Sequence, residues 1–501
     1  MKLRKLAVAT AMATLLATPF AVGQTTLTPD SSVTGDATGT PGAFADAYGV
    51  SLAEWRGWVA VGAPREQALR DGVMSPDGAV YIYRRDSNGD LVLQQKIQPE
   101  GTSVLNGFGD RFGGAVEIEN GWMMIGAANR QDFPADLVDP NPTPGVEPFR
   151  FAGQVLVYKL NKKTDTWEFT QTLDSPAPQT LGQFGTRTQA GKITIQSNAQ
   201  VAVIGELNNF AGGIGEAQVY RRRGNTWSFV QTIAAPDGQT GFADDLLFLE
   251  NNGGNGKQHI LIGGANLNTD AGEFQGIVSM YRQTGNGSFT ADPVQQIFGP
   301  VYDSADCGIS FGFGTSGIDA SGGTVAVADP CHSAISGAND FTGAVTVYDY
   351  SPGGDTPLSE SAFLELDESF LLGGANFFGS RFSIALNSKG DGLLVGTPNF
   401  PGPGVSVIRP GDDVRYFTFD PNSGWSIEAF LTSDVPDTAL ARAFGQSVYF
   451  LDDSTAVARH NNTIDPFAGL LDGNLVFFDV PLPTRNSGNG TGNGKAKGKN
   501  K

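Results

Sequence analysis

One phrase returns seven times along the chain and constrains the fold more than any other feature. An aromatic residue and a glycine are followed, after a turn, by a short apolar run that ends in a small residue. Clear copies are AYGVSLAEWRGWVAVGAP (47–64), FGDRFGGAVEIENGWMMIGAA (108–128) and FFGSRFSIALNSKGDGLLVGTP (377–398), and the others begin at Gln183, Gly241, Ser310 and Ala443. A repeat of this kind indicates that one supersecondary unit is used many times.

Each copy is followed by a second phrase in which apolar residues alternate on both sides of turn residues. The clearest example is EAQVYRRRGNTWSFVQTI (216–233). Such alternation around Gly and Asn is typical of a β-hairpin, and the 67 glycines supply the positive-φ positions that tight turns need. Two strands from each phrase make a four-stranded unit. We therefore predict an all-β fold, a seven-bladed β-propeller with four-stranded antiparallel blades over residues 24–483.

The last copy is shorter than the others. Its second phrase is only GNLVFFDV (473–480), which is half a hairpin, whereas QTTLTPDSS (24–32) precedes the first copy and has no blade of its own. We predict that this N-terminal segment supplies the missing outer strand of the last blade. A strand from one terminus would then close the ring and remove an exposed sheet edge.

The two termini differ from the repeats. Residues 1–23 combine a basic start, an apolar stretch and small residues before Gln24, which is the layout of a secretory signal peptide cut near Gly23. We expect the mature chain to be secreted, at the cell surface or periplasmic, with no transmembrane segment. Residues 484–501 are basic and of low complexity, so we expect a disordered tail.

The net charge limits the class of partner. The formal net charge of −19 repels phosphate backbones, so we expect no nucleic acid partner.

The two cysteines indicate a cross-link. The only cysteines are Cys307, before an inner strand, and Cys331, after the second strand of the same blade. These positions share one face of a propeller, which predicts a disulfide in an exported protein. Two separate buried thiols are the alternative.

The phrases resemble FG-GAP repeats, the unit of the integrin α-subunit N-terminal propeller and of many secreted bacterial proteins. All seven copies share the likeness, but only the first has an intact Gly62-Ala63-Pro64. The resemblance implies calcium in turns between first and second strands. The closest matches, Asn387–Gly392 and Glu250–Gly256, lack the several carboxylates that calcium prefers. We therefore expect no cofactor, and calcium is the alternative.

No catalytic motif stands out, so the site prediction rests on which loops share a face. His332 and His460 follow second strands, Arg459 precedes His460, and the long insertion at 128–151 on that face carries Asp132, Asp136 and Asp139. We predict a ligand face there and an exported binding or adhesion module for a protein or glycan. The alternatives are an extracellular carbohydrate-active enzyme, either a polysaccharide lyase or a hydrolase, and a structural role in a surface layer.

Overall fold

The chain folds into β-sheets throughout the part that the structure describes. This computed structural model describes residues 25–27, 30–34, 46–70, 73–99, 109–130, 152–178, 182–185, 193–206, 214–236, 239–249, 258–268, 271–285, 287–303, 312–315, 317–332, 342–353, 356–365, 383–397, 413–433, 444–461 and 473–483. None of these ranges contains a helix long and apolar enough to cross a membrane. The predicted signal peptide (1–23) and tail (484–501) lie outside them.

Seven antiparallel blades of four strands form a ring, which confirms the predicted propeller. Blades 1 to 3 are β3 (Ser51–Trp55), β4 (Trp58–Ala63), β7 (Ala79–Arg85) and β8 (Leu91–Ile97); β9 (Phe112–Glu119), β10 (Trp122–Ala127), β11 (Gln154–Asn161) and β12 (Thr166–Asp174); and β13 (Ile193–Ile195), β14 (Val201–Glu206), β15 (Glu216–Arg223) and β16 (Thr226–Ala234). A small hairpin, β5 (Ala68–Arg70) and β6 (Val73–Ser75), extends from blade 1.

The other four blades follow the same order from the centre outward. They are β18 (Leu246–Leu249), β19 (His259–Asn268), β20 (Glu273–Arg282) and β21 (Gln295–Asp303), with β17 (Gln239–Thr240) added to β19; β22 (Ile318–Ser321), β23 (Thr324–Asp329), β24 (Ala344–Tyr350) and β25 (Leu358–Glu365); β26 (Ile384–Leu386), β27 (Gly392–Gly396), β28 (Asp413–Asp420) and β29 (Gly424–Thr432); and β30 (Val448–Phe450), β31 (Thr455–Asn461), β32 (Gly473–Asp479) and β2 (Ser31–Thr34). We call the end where inner strands begin the upper face, and the end with the turns between first and second strands the lower face.

The N-terminal segment closes the ring, but it is divided between two blades. Strand β2 pairs antiparallel with β32 and completes blade 7, as predicted. Strand β1 (Thr25–Leu27) instead pairs in parallel with β29, at the outer edge of blade 6. The segment predicted to complete only the last blade therefore crosses from one blade edge to the next, and it covers both edges.

The repeated glycines lie where neighbouring blades touch. A Cβ atom on Gly62 would lie 2.0 Å from the carbonyl oxygen of Gly113, and one on Gly126 would lie 1.8 Å from that of Gly185. The aromatic residues before the second glycines, Phe112 and Phe184, are completely buried. Only glycine permits this approach of two main chains, so the repeat follows from the packing of blades around an axis.

A glutamine on the outer strand fastens four consecutive blade interfaces. The Gln95 side-chain amide donates to the Trp167 carbonyl oxygen (3.0 Å) and accepts from the Trp167 amide (2.9 Å) in the next blade. The same pair of bonds joins Gln171 to Trp227, Gln231 to Phe289 and Gln295 to Leu358. Alanine takes this position in blades 5 and 6, at Ala362 and Ala429.

The interface between blades 7 and 1, which closes the ring, is held by charged side chains and not by an outer-strand glutamine. Arg459 is completely buried in blade 7; its Nε donates to the carbonyl oxygen of Tyr48 in blade 1 (2.8 Å) and its Nη1 to Gln446 (3.0 Å). On the lower face, Arg85 of blade 1 forms an ion pair with Asp452 of blade 7 at 2.5 Å. Both contacts hold the first and last repeats together.

Candidate functional site

A buried carboxyl group on the upper face lies at the junction of blades 2 and 3. Glu206 is the last residue of β14 and is 1 % exposed. Its Oε2 accepts a hydrogen bond from the Ser175 hydroxyl in blade 2 (2.6 Å) and another from Nε2 of Gln218 in blade 3 (3.2 Å). The two blades therefore meet at this carboxyl group.

A second carboxylate shares the same amide. Nε2 of Gln218 also donates to Oε2 of Glu216 at 3.1 Å, so the two carboxylates are separated by one NH₂ group. The Thr232 hydroxyl donates to Oε1 of Gln218 at 2.7 Å. This bond fixes the amide with its nitrogen toward the carboxylates. Glu216 is half-buried, whereas Glu206 is enclosed.

Burial makes Glu206 a weaker acid than an exposed glutamate. Loss of solvation raises its pKa from 4.5 to about 7, and the nearby Glu216 charge acts in the same direction. The bonds from Ser175 and Gln218 oppose this shift because they stabilise the charged form. Oε1 of Glu206 is buried and has no hydrogen-bond partner among the described residues, whereas Oε2 accepts two bonds, so Oε1 is the oxygen open to a proton in the neutral acid.

Polar contacts continue from this pair across the upper face of blade 2. Nε2 of Gln154 donates to Asp174 (2.6 Å), the residue before Ser175, and Nε of Arg130 donates to Oε1 of Gln154 (2.9 Å). Arg130 also forms an ion pair with Asp110 at 3.3 Å. The segments 131–151 and 207–213, which join the second and third strands of these two blades, lie outside the described residues, and so do the predicted Asp132, Asp136 and Asp139.

Blade 5 has a comparable carboxyl group at the equivalent position. Asp329 ends β23 and is 2 % exposed, and its Oδ2 accepts from the Tyr302 hydroxyl at 2.6 Å. Burial raises its pKa to about 7. Its side-chain partner is a phenol rather than an amide shared with a second carboxylate. The two buried acids therefore differ in their neighbours more than in their acidity.

The structure disperses the residues predicted for the ligand face. His332 lies on the upper face, 3.2 Å from Glu365 and with its ring against Phe363, whereas Arg459 is enclosed at the ring closure. The main chain of His460 pairs with Asn474 in blade 7, but its side chain lies outside the description. No contact joins His332 to Arg459 in the described part of the chain.

Only one cysteine of the predicted pair lies within the described residues. Cys331 is buried, 1 % exposed, directly after β23, and Cys307 lies outside the described residues. The disulfide stays a prediction.

The turns weighed for calcium have their own hydrogen bonds where they are described. Oδ1 of Asn387 accepts from the amides of Asp391 and Gly392, and Nδ2 donates to Asp391 at 2.9 Å. The second turn, 250–256, lies outside the described residues. Within the described ranges, no cluster of three or more His, Cys, Asp and Glu side chains could hold a metal ion.

The axial cavity measures about 290 Å³ and is lined by the inner strands of all seven blades. Four of its lining residues are acidic: Glu54, Glu117, Asp245 and Asp319. Two of these acids connect neighbouring blades, because Asp245 accepts from the Ile318 amide (2.8 Å) and Asp319 accepts from the Leu386 amide (2.7 Å). Their bonds indicate a structural role along the axis.

Sequence reasoning missed Glu206, although the repeat contains a signal for it. Blades 1 and 2 have alanine after the glycine of the second strand, at Ala63 and Ala127, whereas blades 3 and 5 have Glu206 and Asp329. A carboxylate at a position that is otherwise small and buried departs from the packing pattern. That departure, rather than any motif, identifies the two acids.

Comparison with known proteins identifies no family. No protein-family model matches the chain, and no curated protein matches it. The likeness to FG-GAP repeats therefore stays a prediction.

Several solved structures are similar at low identity. One is a putative 6-phosphogluconolactonase of Bacteroides uniformis, with a TM-score of 0.45 and 10 % identity over 78 % of this chain and 87 % of that one. An ulvan lyase gives 0.44 and 10 % over 92 % and 96 %. The periplasmic gluconolactonase of Pseudomonas aeruginosa gives 0.40 and 14 % over 86 % and 88 %. At TM-scores below 0.5 these likenesses carry no argument about activity.

Proposed function

We propose that the protein is an exported carbohydrate-active enzyme that hydrolyses glycosidic bonds at the junction of blades 2 and 3. The observation that supports this proposal is the pair formed by Glu206 and Glu216 around one amide. Hydrolysis of a glycosidic bond uses a carboxylic acid that is protonated near neutral pH and a second carboxylate beside it. The raised pKa of Glu206 supplies the first of these groups.

Each residue then has a defined role. Because Glu206 is enclosed in the fold, the bound sugar must first expose this carboxyl group. Glu206 then gives its proton to the leaving glycosidic oxygen as the bond between that oxygen and the anomeric carbon breaks. Water supplies hydroxide to the anomeric carbon, and its remaining proton passes to the Glu206 carboxylate, which restores the acid. Glu216 stabilises the positive charge that develops on the sugar, and Gln218 holds the two carboxylates in place.

A panel of purified polysaccharides, assayed for new reducing ends, tests the proposal. Replacement Glu206→Gln keeps the shape of the side chain but removes the proton donor, so we expect turnover to fall by about 100-fold or more. Because the protonated form is the active one, the wild-type rate should fall as the pH rises through about 7. This pH limb should be absent from the remaining activity of the variant.

The matched control is Asp329→Asn, which removes the equivalent buried acid of blade 5. We expect this variant to keep the wild-type rate and pH profile, because Asp329 has no second carboxylate on its hydrogen-bond partner. An equal loss in both variants would assign the effect to folding and reject the proposal, as would the absence of new reducing ends from every polysaccharide. The Glu206 pair does not support the adhesion module that the sequence first indicated.

A further inference from the structure

A group of basic side chains occupies the lower face of blades 1 to 3, at the opposite end from Glu206. Each blade contributes residues from the lower end of its third strand or from the turns at that end. We call them the basic surface: Arg56, Arg84, Lys159, Lys162, Lys163, Arg222 and Arg223. None of these residues forms an ion pair within the described part of the chain.

One hydrogen bond of the basic surface crosses the boundary between blades 2 and 3, and another lies within blade 1. Nζ of Lys159 in blade 2 donates to Oδ1 of Asn225 in blade 3 at 2.9 Å. Within blade 1, Nη1 of Arg84 donates to the carbonyl oxygen of Arg56 at 2.8 Å. Trp55 packs into the core between blades 1 and 2 and leaves part of its ring exposed beside Arg56. The cations of blades 2 and 3 therefore lie on one connected surface, and those of blade 1 lie on the neighbouring blade.

Tryptophan rings hold several of the cations in place. Arg84 lies over Trp58 with its Cζ atom 5.0 Å from the ring centroid, and Lys159 and Arg222 lie over Trp122 at 5.3 and 4.9 Å. These contacts restrict the long side chains before any partner arrives, which reduces the entropy lost on binding. The basic surface is thus partly preorganised.

The same face of blades 5 to 7 has the opposite charge, and its acids are mostly engaged within the chain. The acidic residues there are Asp349, Asp391, Asp420, Asp452 and Asp453. Asp452 pairs with Arg85 and Asp453 with Lys389, while Asp391 and Asp420 bond within their own turns. These acids of a second copy are therefore less available to the basic surface.

Acids also lie on the lower face of blades 1 to 3, among them Glu54, Asp86, Asp90 and Asp165, but within the described residues none of them forms an ion pair with the seven cations. These cations are therefore available to an anionic partner.

We propose that the basic surface binds an acidic polysaccharide, a linear glycan with uronate or sulfate groups. Cations on three consecutive blades suit a polymer whose charges are spaced along its length. A nucleic acid fits less well, because the Trp58 and Trp122 rings are each 4 % exposed beneath cations and offer no face for stacked bases. The proposal goes beyond hydrolysis at Glu206 and does not depend on it.

Retention of the mature full-length chain on immobilised polygalacturonate and on dextran sulfate tests this surface. We expect binding to at least one of the two, with an affinity that falls as salt is added. The triple variant Lys162→Gln, Lys163→Gln, Arg223→Gln changes three exposed side chains. We expect it to bind about tenfold more weakly or worse, because it loses three of the seven cations.

The matched control is Lys495→Gln, Lys497→Gln, Lys499→Gln in the C-terminal tail, which removes the same charge. We expect this variant and Glu206→Gln to bind like the wild type, so a failure of hydrolysis and a failure of binding give different results. Three results would each overturn the proposal: no binding to either polyanion, an equal loss in the tail variant, or equal competition by single-stranded DNA. Neutral dextran should not retain any of the proteins.

Discussion

Single departures from a small-residue pattern place buried acids in this propeller. Where β4 and β10 end in alanine, β14 ends in Glu206 and β23 ends in Asp329, each in a buried position. A carboxyl group that is hidden from water stays protonated to a higher pH than an exposed one. Each substitution therefore converts a packing position into an acid with a pKa near 7.

The raised pKa of Glu206 makes stability depend on pH. The unfolded chain loses this proton near 4.5 and the folded chain near 7, so the stabilising contribution is complete below 4.5 and is lost as the pH rises to 7. We compare the free energy of unfolding of Glu206→Gln with that of the wild type at each pH. The difference should favour the variant by up to about 3 kcal/mol more at pH 8 than at pH 4.5. Urea unfolding of Glu206→Gln at both pH values measures this difference.

The control for this experiment is Glu428→Gln on the exposed side of β29. We expect a change of less than about 0.5 kcal/mol at either pH, because a surface carboxyl group away from partners contributes little. A Glu206→Gln protein with the wild-type pH dependence of stability would contradict the assignment of a buried, neutral acid.

At the scale of strands, the interfaces between blades are fastened by different devices around the ring. Gln95 and its three counterparts clasp the outer strands of blades 1 to 5, whereas Ala429 of blade 6 faces Thr25 of the N-terminal strand β1. An amide that both donates to and accepts from one peptide unit restores the hydrogen bonds that an outer edge would otherwise make with water. In blade 6, where alanine takes the glutamine position, the N-terminal strand pairs with the outer edge instead.

Adjacent glutamines on β8 allow a direct test of the glutamine bonds between blades. Gln95→Ala removes two bonds to the Trp167 main chain, so we expect the free energy of unfolding to fall by about 2 kcal/mol. Gln94→Ala alters an exposed side chain that bonds only within its own strand, and it should be neutral. Chemical denaturation measures the free energy of unfolding of both variants. Equal losses would show that the Gln95 bonds do not stabilise the fold.

At the scale of the whole molecule, the two ends of the chain hold the ring closed. Strand β2 supplies the fourth strand of blade 7, and Arg459 reaches across from blade 7 to the main chain of blade 1. Without β2, the outer side of β32 becomes an open sheet edge. The described N-terminal residues are therefore part of the folded body and not an appendage.

Deletion of residues 24–34 from the mature chain should lower the melting temperature and favour association through the uncovered edges of blades 6 and 7. Thermal unfolding and analytical ultracentrifugation measure these two effects. Deletion of residues 484–501 is the control and should change neither, because the seven blades are complete without them. Unchanged melting after the N-terminal deletion would show that closure depends on blade contacts alone.

The sequence alone determined the number of blades, their four-stranded form and the use of an N-terminal strand for closure. These features follow from short-range patterns, since alternation, turn glycines and a truncated last repeat are all visible along the chain. Only the tertiary structure showed that Thr25–Leu27 joins blade 6, that Arg459 is enclosed, and that Glu206 and Glu216 share one amide. Burial and pairing depend on which residues the neighbouring blade presents, and that information is distributed over distant segments of the chain.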